Sequence, residues 1–220
     1  MKITKSRTLL ILGWLALSTQ TVASKQNILP GLSVQKGRVQ LHGKPYQGMG
    51  ANYFSLFSRT LKDPSDTSYQ IGLKQLSKAS IPFVRFMACG FWPVDWDLYL
   101  HDKKAYFRRL DAIVRCAEEN KIGLIPSLFW HMPTVPDIVD ESMDQLGNPH
   151  SKTIAFIQQY TKEMVLRYRR SEAVWGWEFG NEYNLHVDLP NASEHRPAVW
   201  PQLKTALKRT AHDELSSQAL

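Results

Sequence analysis

The residues best suited to chemistry lie in Trp175-Gly176-Trp177-Glu178-Phe179-Gly180-Asn181-Glu182-Tyr183-Asn184. An apolar, aromatic run that closes on an amide and a carboxyl reads as a buried strand delivering two polar side chains at its carboxyl end. Glu182 follows Trp177 and Phe179 and precedes Tyr183. Such surroundings disfavour the charged carboxylate and keep a proton on it near neutral pH, as a general acid requires. Comparable groups close other apolar runs: Asn52 and Tyr53 after Gly48, Arg85 inside Ile81 to Met87, and Trp130 and His131 after Phe129. Trp92, Trp96, Trp130 and Trp200 add flat aromatic faces. Plainer readings stand beside these: Arg85 in a structural ion pair, His131 as a loop residue, and Trp175 and Trp177 in the core on alternating sides.

To act together, these groups need strands that end on a common face. Leu32 to Gln35 and Val39 to Leu41 alternate around Lys36-Gly37-Arg38, a small β-hairpin. Strands follow over Gly48–Phe54, Ile81–Met87, Gly123–Phe129 and Val174–Phe179. Pro82 fits only near the start of its strand, where no ladder donor is needed. Between them the spacing predicts a helix holding Ile71, Leu73 and Leu76, with Asp66 or Thr67 near its start. A second runs from Lys103 to Asn120 with Phe107, Leu110, Val114 and Ala117 on one face. A third spans Lys152 to Arg169, with Ile154, Ile157, Met164 and Val165, and a last pattern covers Trp200 to Ser216.

Continuous apolar strands separated by amphipathic helices imply a parallel sheet with helices outside it. An open doubly wound sheet usually carries a glycine-rich turn after its first strand. Here Ser55-Leu56-Phe57-Ser58-Arg59 follows instead. All four strand ends carry polar or aromatic groups, the pattern of a barrel that works at one face.

With its elements so arranged, the segment around Asn181-Glu182 resembles the fourth-strand motif of the clan A (β/α)8 retaining glycosidases, and glycoside hydrolase family 5 (cellulases and mannanases) in particular. The resemblance implies that Glu182 is the general acid/base and that Asn181 contacts a sugar 2-hydroxyl. Leu41-His42-Gly43-Lys44-Pro45, leading to Gly48-Met49-Gly50-Ala51-Asn52, resembles the family's amino-terminal hairpin and first strand. Phe83-Val84-Arg85 resembles the second strand, whose arginine supports the nucleophile, and His131 resembles a histidine that lines the cleft. The resemblance spans about residues 32–190. It implies hydrolysis of O-glycosidic bonds in a β-linked glycan of the cellulose or mannan type, with no cofactor. Asn181 and Arg85 assist Glu182 in catalysis, while His131, Trp130, Asn52, Tyr53 and Trp92 bind substrate.

Glycoside hydrolysis needs two carboxyl groups, ~5–5.5 Å apart for retention or ~6.5–9.5 Å for inversion. Four strand residues at ~3.3 Å each put Glu178 some 13 Å from Glu182, beyond both spacings. Glu178 is therefore expected to orient Arg85 or another polar group. The family's nucleophile ends a seventh strand, which this sequence lacks. Four units of roughly 44 residues make half of a (β/α)8 barrel. The expected fold is thus α/β, of the (β/α)8 TIM-barrel type, truncated after about four units and opened by an amino-terminal β-hairpin. Three origins fit: a truncated or frameshifted product, a fragment, or a chain that pairs with a complementary carboxyl-terminal half. A non-catalytic carbohydrate-binding remnant and an inactive remnant are the rival readings.

Composition narrows the field. With 43% hydrophobic and 21% charged residues among 220, the chain is globular in character, and disorder is excluded. Cys89 and Cys116 alone exclude a disulfide scaffold and a four-cysteine zinc site, while a single bridge or two buried thiols both stay open. His186, Asp188, His195 and His212 show no metal-ligand pattern. Residues 1–24 read as a cleavable leader: Lys2, Lys5 and Arg7, the apolar run Leu9 to Leu17, then Thr21, Ala23 and Ser24. The apolar run is too short for ~30 Å of hydrocarbon, so no stable membrane insertion is expected after cleavage. The leader contributes three of the seven net positive charges, and the rest are dispersed, so nucleic acid is not an expected partner. The expected product is secreted or periplasmic, with residues 25–220 forming the partial barrel domain.

Overall fold

Two tight turns shape the amino-terminal part of the computed structural model, which describes residues 31–181. Lys36 and Gly37 both have positive φ (50° and 72°), as do His42 and Gly43 (51° and 75°). Paired left-handed residues match the twist of two-residue hairpins. They fold β1 (Leu32–Gln35), β2 (Arg38–Leu41) and β3 (Lys44–Pro45) into an antiparallel sheet with Gln35 opposite Arg38 and Leu41 opposite Lys44. The Leu32 N–H donates to the Trp175 carbonyl at 2.8 Å, and the Tyr46 ring meets Trp175 edge-on at 5.4 Å. The small sheet therefore sits against the amino-terminal ends of the parallel strands.

Those strands are β4 (Ala51–Asn52), β5 (Phe83–Met87), β6 (Gly123–Phe129) and β7 (Glu178–Gly180), all parallel and adjacent in chain order. Stepwise addition on one side is the progression of a barrel, whereas a doubly wound sheet reverses at a switch point. Between strands lie α1 (Ser55–Lys62) and α2 (Ser68–Lys78), then α3 (Asp97–His101) and α4 (Lys103–Asn120), then α5 (Thr134–Val139) and α6 (Lys152–Tyr168).

Alternation decides which face is covered. Val84, Phe86, Leu124 and Leu128 are buried, together with Leu110, Ile113, Val114 and Ala117 of α4. Arg85 and Ile125, paired in register, are only half-buried. Helix ends are closed by side chains. Asp102 accepts from the Ala105 N–H at 2.8 Å and Ser151 from the Ile154 N–H at 3.0 Å, caps that each stabilise by about 1 kcal/mol. Arg109 reaches back from α4 to the Thr60 carbonyl at 2.5 Å, capping α1 from another element.

The core is unusually aromatic. Trp96, Tyr99, Tyr106 and Tyr160 are at most 1% exposed, so each tyrosine hydroxyl needs a partner. Tyr99 donates to Glu163 at 2.7 Å, Tyr106 and Tyr160 share a bond of 2.8 Å, and Tyr160 also donates to the Ala88 carbonyl. Cys89 and Cys116 are both buried free thiols, which settles the choice left open between a bridge and separate thiols.

Candidate active site

Arg85 is the centre of the polar group on the open face. It projects from the middle of β5, next in register to Asn52 of β4 and Ile125 of β6. Its Nε donates to Glu178 Oε2 at 2.8 Å and its Nη2 to Asn181 Oδ1 at 2.8 Å. A guanidinium can only donate, so this contact also fixes the Asn181 amide with its oxygen toward Arg85. The two bonds use two edges of a rigid planar fork, which a lysine could not reproduce. Glu178 thus orients Arg85, as its distance from Glu182 along the strand implied.

Above Arg85 lies Trp130, with the guanidinium carbon 4.1 Å from the ring centroid. The Trp130 backbone N–H donates to Cys89 Sγ at 3.3 Å. Burial pushes the Cys89 thiol up to about 12, so it stays protonated and serves as a weak acceptor. The Tyr106–Tyr160 pair holds the adjoining Ala88 carbonyl, so the turn after β5 is fastened from the core side.

His131 stands beside this turn. Its ring stacks on Phe91 at 4.8 Å with 9° between planes. Thr134 Oγ1 donates its one proton to the Phe91 carbonyl at 2.7 Å. The 2.9 Å contact between His131 Nδ1 and that same oxygen must then be donated by the imidazole. In the neutral ring the lone pair is therefore on Nε2. Burial lowers the His131 pKa below 6.5, against an opposing pull from Asp137, and the neutral form prevails at pH 7.

Other expected positions fall differently. Trp92 is 57% exposed and lies 5.3 Å from His131. Trp96 is 1% exposed and packs against Tyr99, Phe156 and Tyr160, so its reading as a flat exposed face is corrected to core. Tyr53 is half-buried and points toward α2, where a Cβ on Gly72 would meet its hydroxyl at 2.4 Å. Asn52 is exposed at the end of β4. Glu182, one residue past Asn181, and Trp200 lie outside the described residues. Phe54, Phe91, Cys89 and Thr134 join the site without having been singled out. Each lies within a few residues of a strand end, the one signal by which they could have been found.

No protein-family profile and no curated protein sequence matches the chain. Among solved structures, a glycoside hydrolase family 5 mannosidase from Rhizomucor miehei superposes with a TM-score of 0.51 at 15% identity, over 70% of this chain and 49% of that one. A mutant of that enzyme, with one glutamate replaced by alanine, gives 0.51 at 14% identity over the same shares. The chain spans about half the length of the solved structures it matches. At this identity the likeness is one of fold: the parallel four-stranded sheet with its helices is built as in these enzymes.

Proposed function

We propose that this chain carries the acid/base half of a retaining β-glycan hydrolase of the family 5 type. The observation that supports it most is the Arg85 fork, which ties Glu178 and Asn181 together one residue before Glu182. In this reading Asn181 binds a sugar 2-hydroxyl, and Glu182 protonates the leaving oxygen and then activates water. Arg85 keeps a nucleophilic carboxylate ionised, supplied by further strand–helix units or by a complementary half. His131 Nε2 accepts from a sugar hydroxyl, and Trp130, Trp92 and Asn52 line the ligand. Tyr53, turned toward α2, takes no direct part. The substrate is a β-1,4-linked mannan or glucan, and export after cleavage of residues 1–24 brings the protein to it.

The test is an assay on soluble β-mannan and β-glucan with and without the remaining barrel strands. The chain alone should bind glycan without turnover. The completed barrel should hydrolyse with retention, and Glu182→Gln should lower its rate by roughly 10²–10⁴. Turnover by the chain alone that vanishes in Glu182→Gln would place both carboxylates in these 220 residues and sink the two-half reading. Binding without turnover in the completed barrel would leave a carbohydrate-binding protein, and absence of both would remove the glycan.

A further inference from the structure

We propose that Phe54, Phe91 and Trp92 form a second sugar-ring platform beyond Trp130, so that the ligand is an oligosaccharide whose rings extend from the Arg85 centre toward the turn after β5. This rests on the glycan reading above. The rings form one unbroken row. Trp130 covers Arg85 at 4.1 Å, Phe54 meets Trp130 at 5.0 Å, Phe91 meets Phe54 at 6.2 Å, and Trp92 meets Phe91 at 4.8 Å. Phe54 and Trp92 are exposed, at 39% and 57%, with the half-buried Phe91 between them.

Large exposed aromatics are often incidental, but these are held in place. Asp95 Oδ2 accepts the N–H groups of both Phe91 (3.1 Å) and Trp92 (2.9 Å). Thr134 binds the Phe91 carbonyl at 2.7 Å, and the His131 ring backs the Phe91 face. At Gly90 a Cβ would come 2.6 Å from the Trp96 ring, so the turn also rests directly on the core. A platform ordered before binding loses little entropy when a ligand arrives. An apolar row that opens to solvent at Phe54 and Trp92 and has polar neighbours marks a binding site.

The chemistry of the row selects the ligand. Hydrogen-bonding groups border it at His131 and, at its inner end, Arg85 and Asn181. A pyranose has an apolar C–H face and a rim of hydroxyls, and so uses both features. A lipid tail or an apolar peptide would leave the polar border unused. Since Arg85 and Trp92 lie at opposite ends of the row, a single ring cannot cover both.

The test is titration of the 220-residue chain with two series, mannose to mannohexaose and glucose to cellohexaose, followed by calorimetry. In the preferred series the affinity should rise with length until the outer ring reaches Trp92, then level off. Trp92→Ala should weaken the long members about tenfold and leave the disaccharide within about twofold, while Trp92→Phe should keep most of the gain. Matching thermal melts exclude unfolding, since Trp92 is exposed. If affinity does not depend on length, or Trp92→Ala weakens short and long sugars alike, the platform is wrong while the glycan reading stands. If the unaltered chain binds neither series at millimolar sugar, both fall together.

Discussion

The guanidinium carbon of Arg85 lies 4.1 Å from the ring centroid of Trp130 while two of its nitrogens bind Glu178 and Asn181 at 2.8 Å each. Three neighbours from two strand ends thus determine both the plane and the position of one cation. A contact between cation and ring stabilises by about 0.5–1 kcal/mol when exposed and ~2 when desolvated. Arg85 has a side chain 25% exposed, which puts the pair between those limits. A double-mutant cycle of Trp130→Ala and Arg85→Met, followed by urea unfolding, should give a coupling of about 1 kcal/mol. Zero coupling would mean that Trp130 merely fills space above the arginine.

The fork geometry predicts unequal costs for two conservative changes. Glu178→Gln keeps an acceptor for Nε and removes only a half-exposed charge, a loss of about 1 kcal/mol or less. Arg85→Lys keeps the charge but cannot hold Glu178 and Asn181 at once, and losing a charged hydrogen bond costs about 1.5–3 kcal/mol. Chemical denaturation of both variants decides the order. If Glu178→Gln proves the costlier, charge rather than the planar fork holds the site.

Legibility followed periodicity. The helix expected over Lys103 to Asn120 is α4, residue for residue, because Phe107, Leu110, Val114 and Ala117 make an unbroken buried stripe. The strand over Gly123–Phe129 is β6, for the same kind of reason. Elements defined by distant contacts were harder to read. The strand expected over Gly48–Phe54 shortens to Ala51–Asn52, since the chain turns at once into α1, whose end is capped by Arg109 from α4. No local pattern announces a cap 49 residues away. The strand expected from Val174 begins at Glu178, with only a bridge at Val174, because the Leu32 N–H takes the Trp175 carbonyl. Of the three apolar residues that mark α2, Leu73 is buried while Ile71 is 64% exposed, a distinction their types alone do not make. In the site, a lone cation inside an apolar strand pointed to Arg85, and the end of the next strand to Trp130 and His131. Trp92 and Trp96 share one short segment, and only packing against Tyr99 and Tyr160 sends Trp96 into the core.

The lowered pKa of His131 makes a prediction about acid. Burial depresses the folded value below 6.5, with Asp137 opposing, so the unfolded chain binds this proton more readily than the folded one. The neutral ring's contribution is complete above pH 6.5 and is lost as pH falls through the lower folded value. Carboxylates such as Glu163, whose burial is outweighed by bonds from Lys103, Gln159 and Tyr99, have lowered values too and act in a separate, more acidic window. NMR titration of the His131 ring should give a midpoint under 6.5. His131→Gln should flatten the stability profile just below that pH while leaving the acidic limb intact. A midpoint at or above 6.5 would mean that the ring is not buried against Phe91 in solution.

Gly123 tests how the small antiparallel sheet is joined to the parallel strands. A Cβ at this position would lie 2.2 Å from the Trp175 ring, which itself meets Tyr46 edge-on and Phe83 at 5.9 Å. Gly123→Ala must therefore push out Trp175, whose carbonyl binds the Leu32 N–H. Overpacking of this kind costs about 1–3 kcal/mol. The loss should be accompanied by faster hydrogen exchange at Leu32 and neighbouring β1 amides, because their docking partner has moved. Pairing the change with Trp175→Leu should recover part of the stability, a non-additivity expected only if the two residues collide. An additive pair, or an alanine variant as stable as the parent, would show that Trp175 does not lie over Gly123 and that β1 is anchored by other contacts.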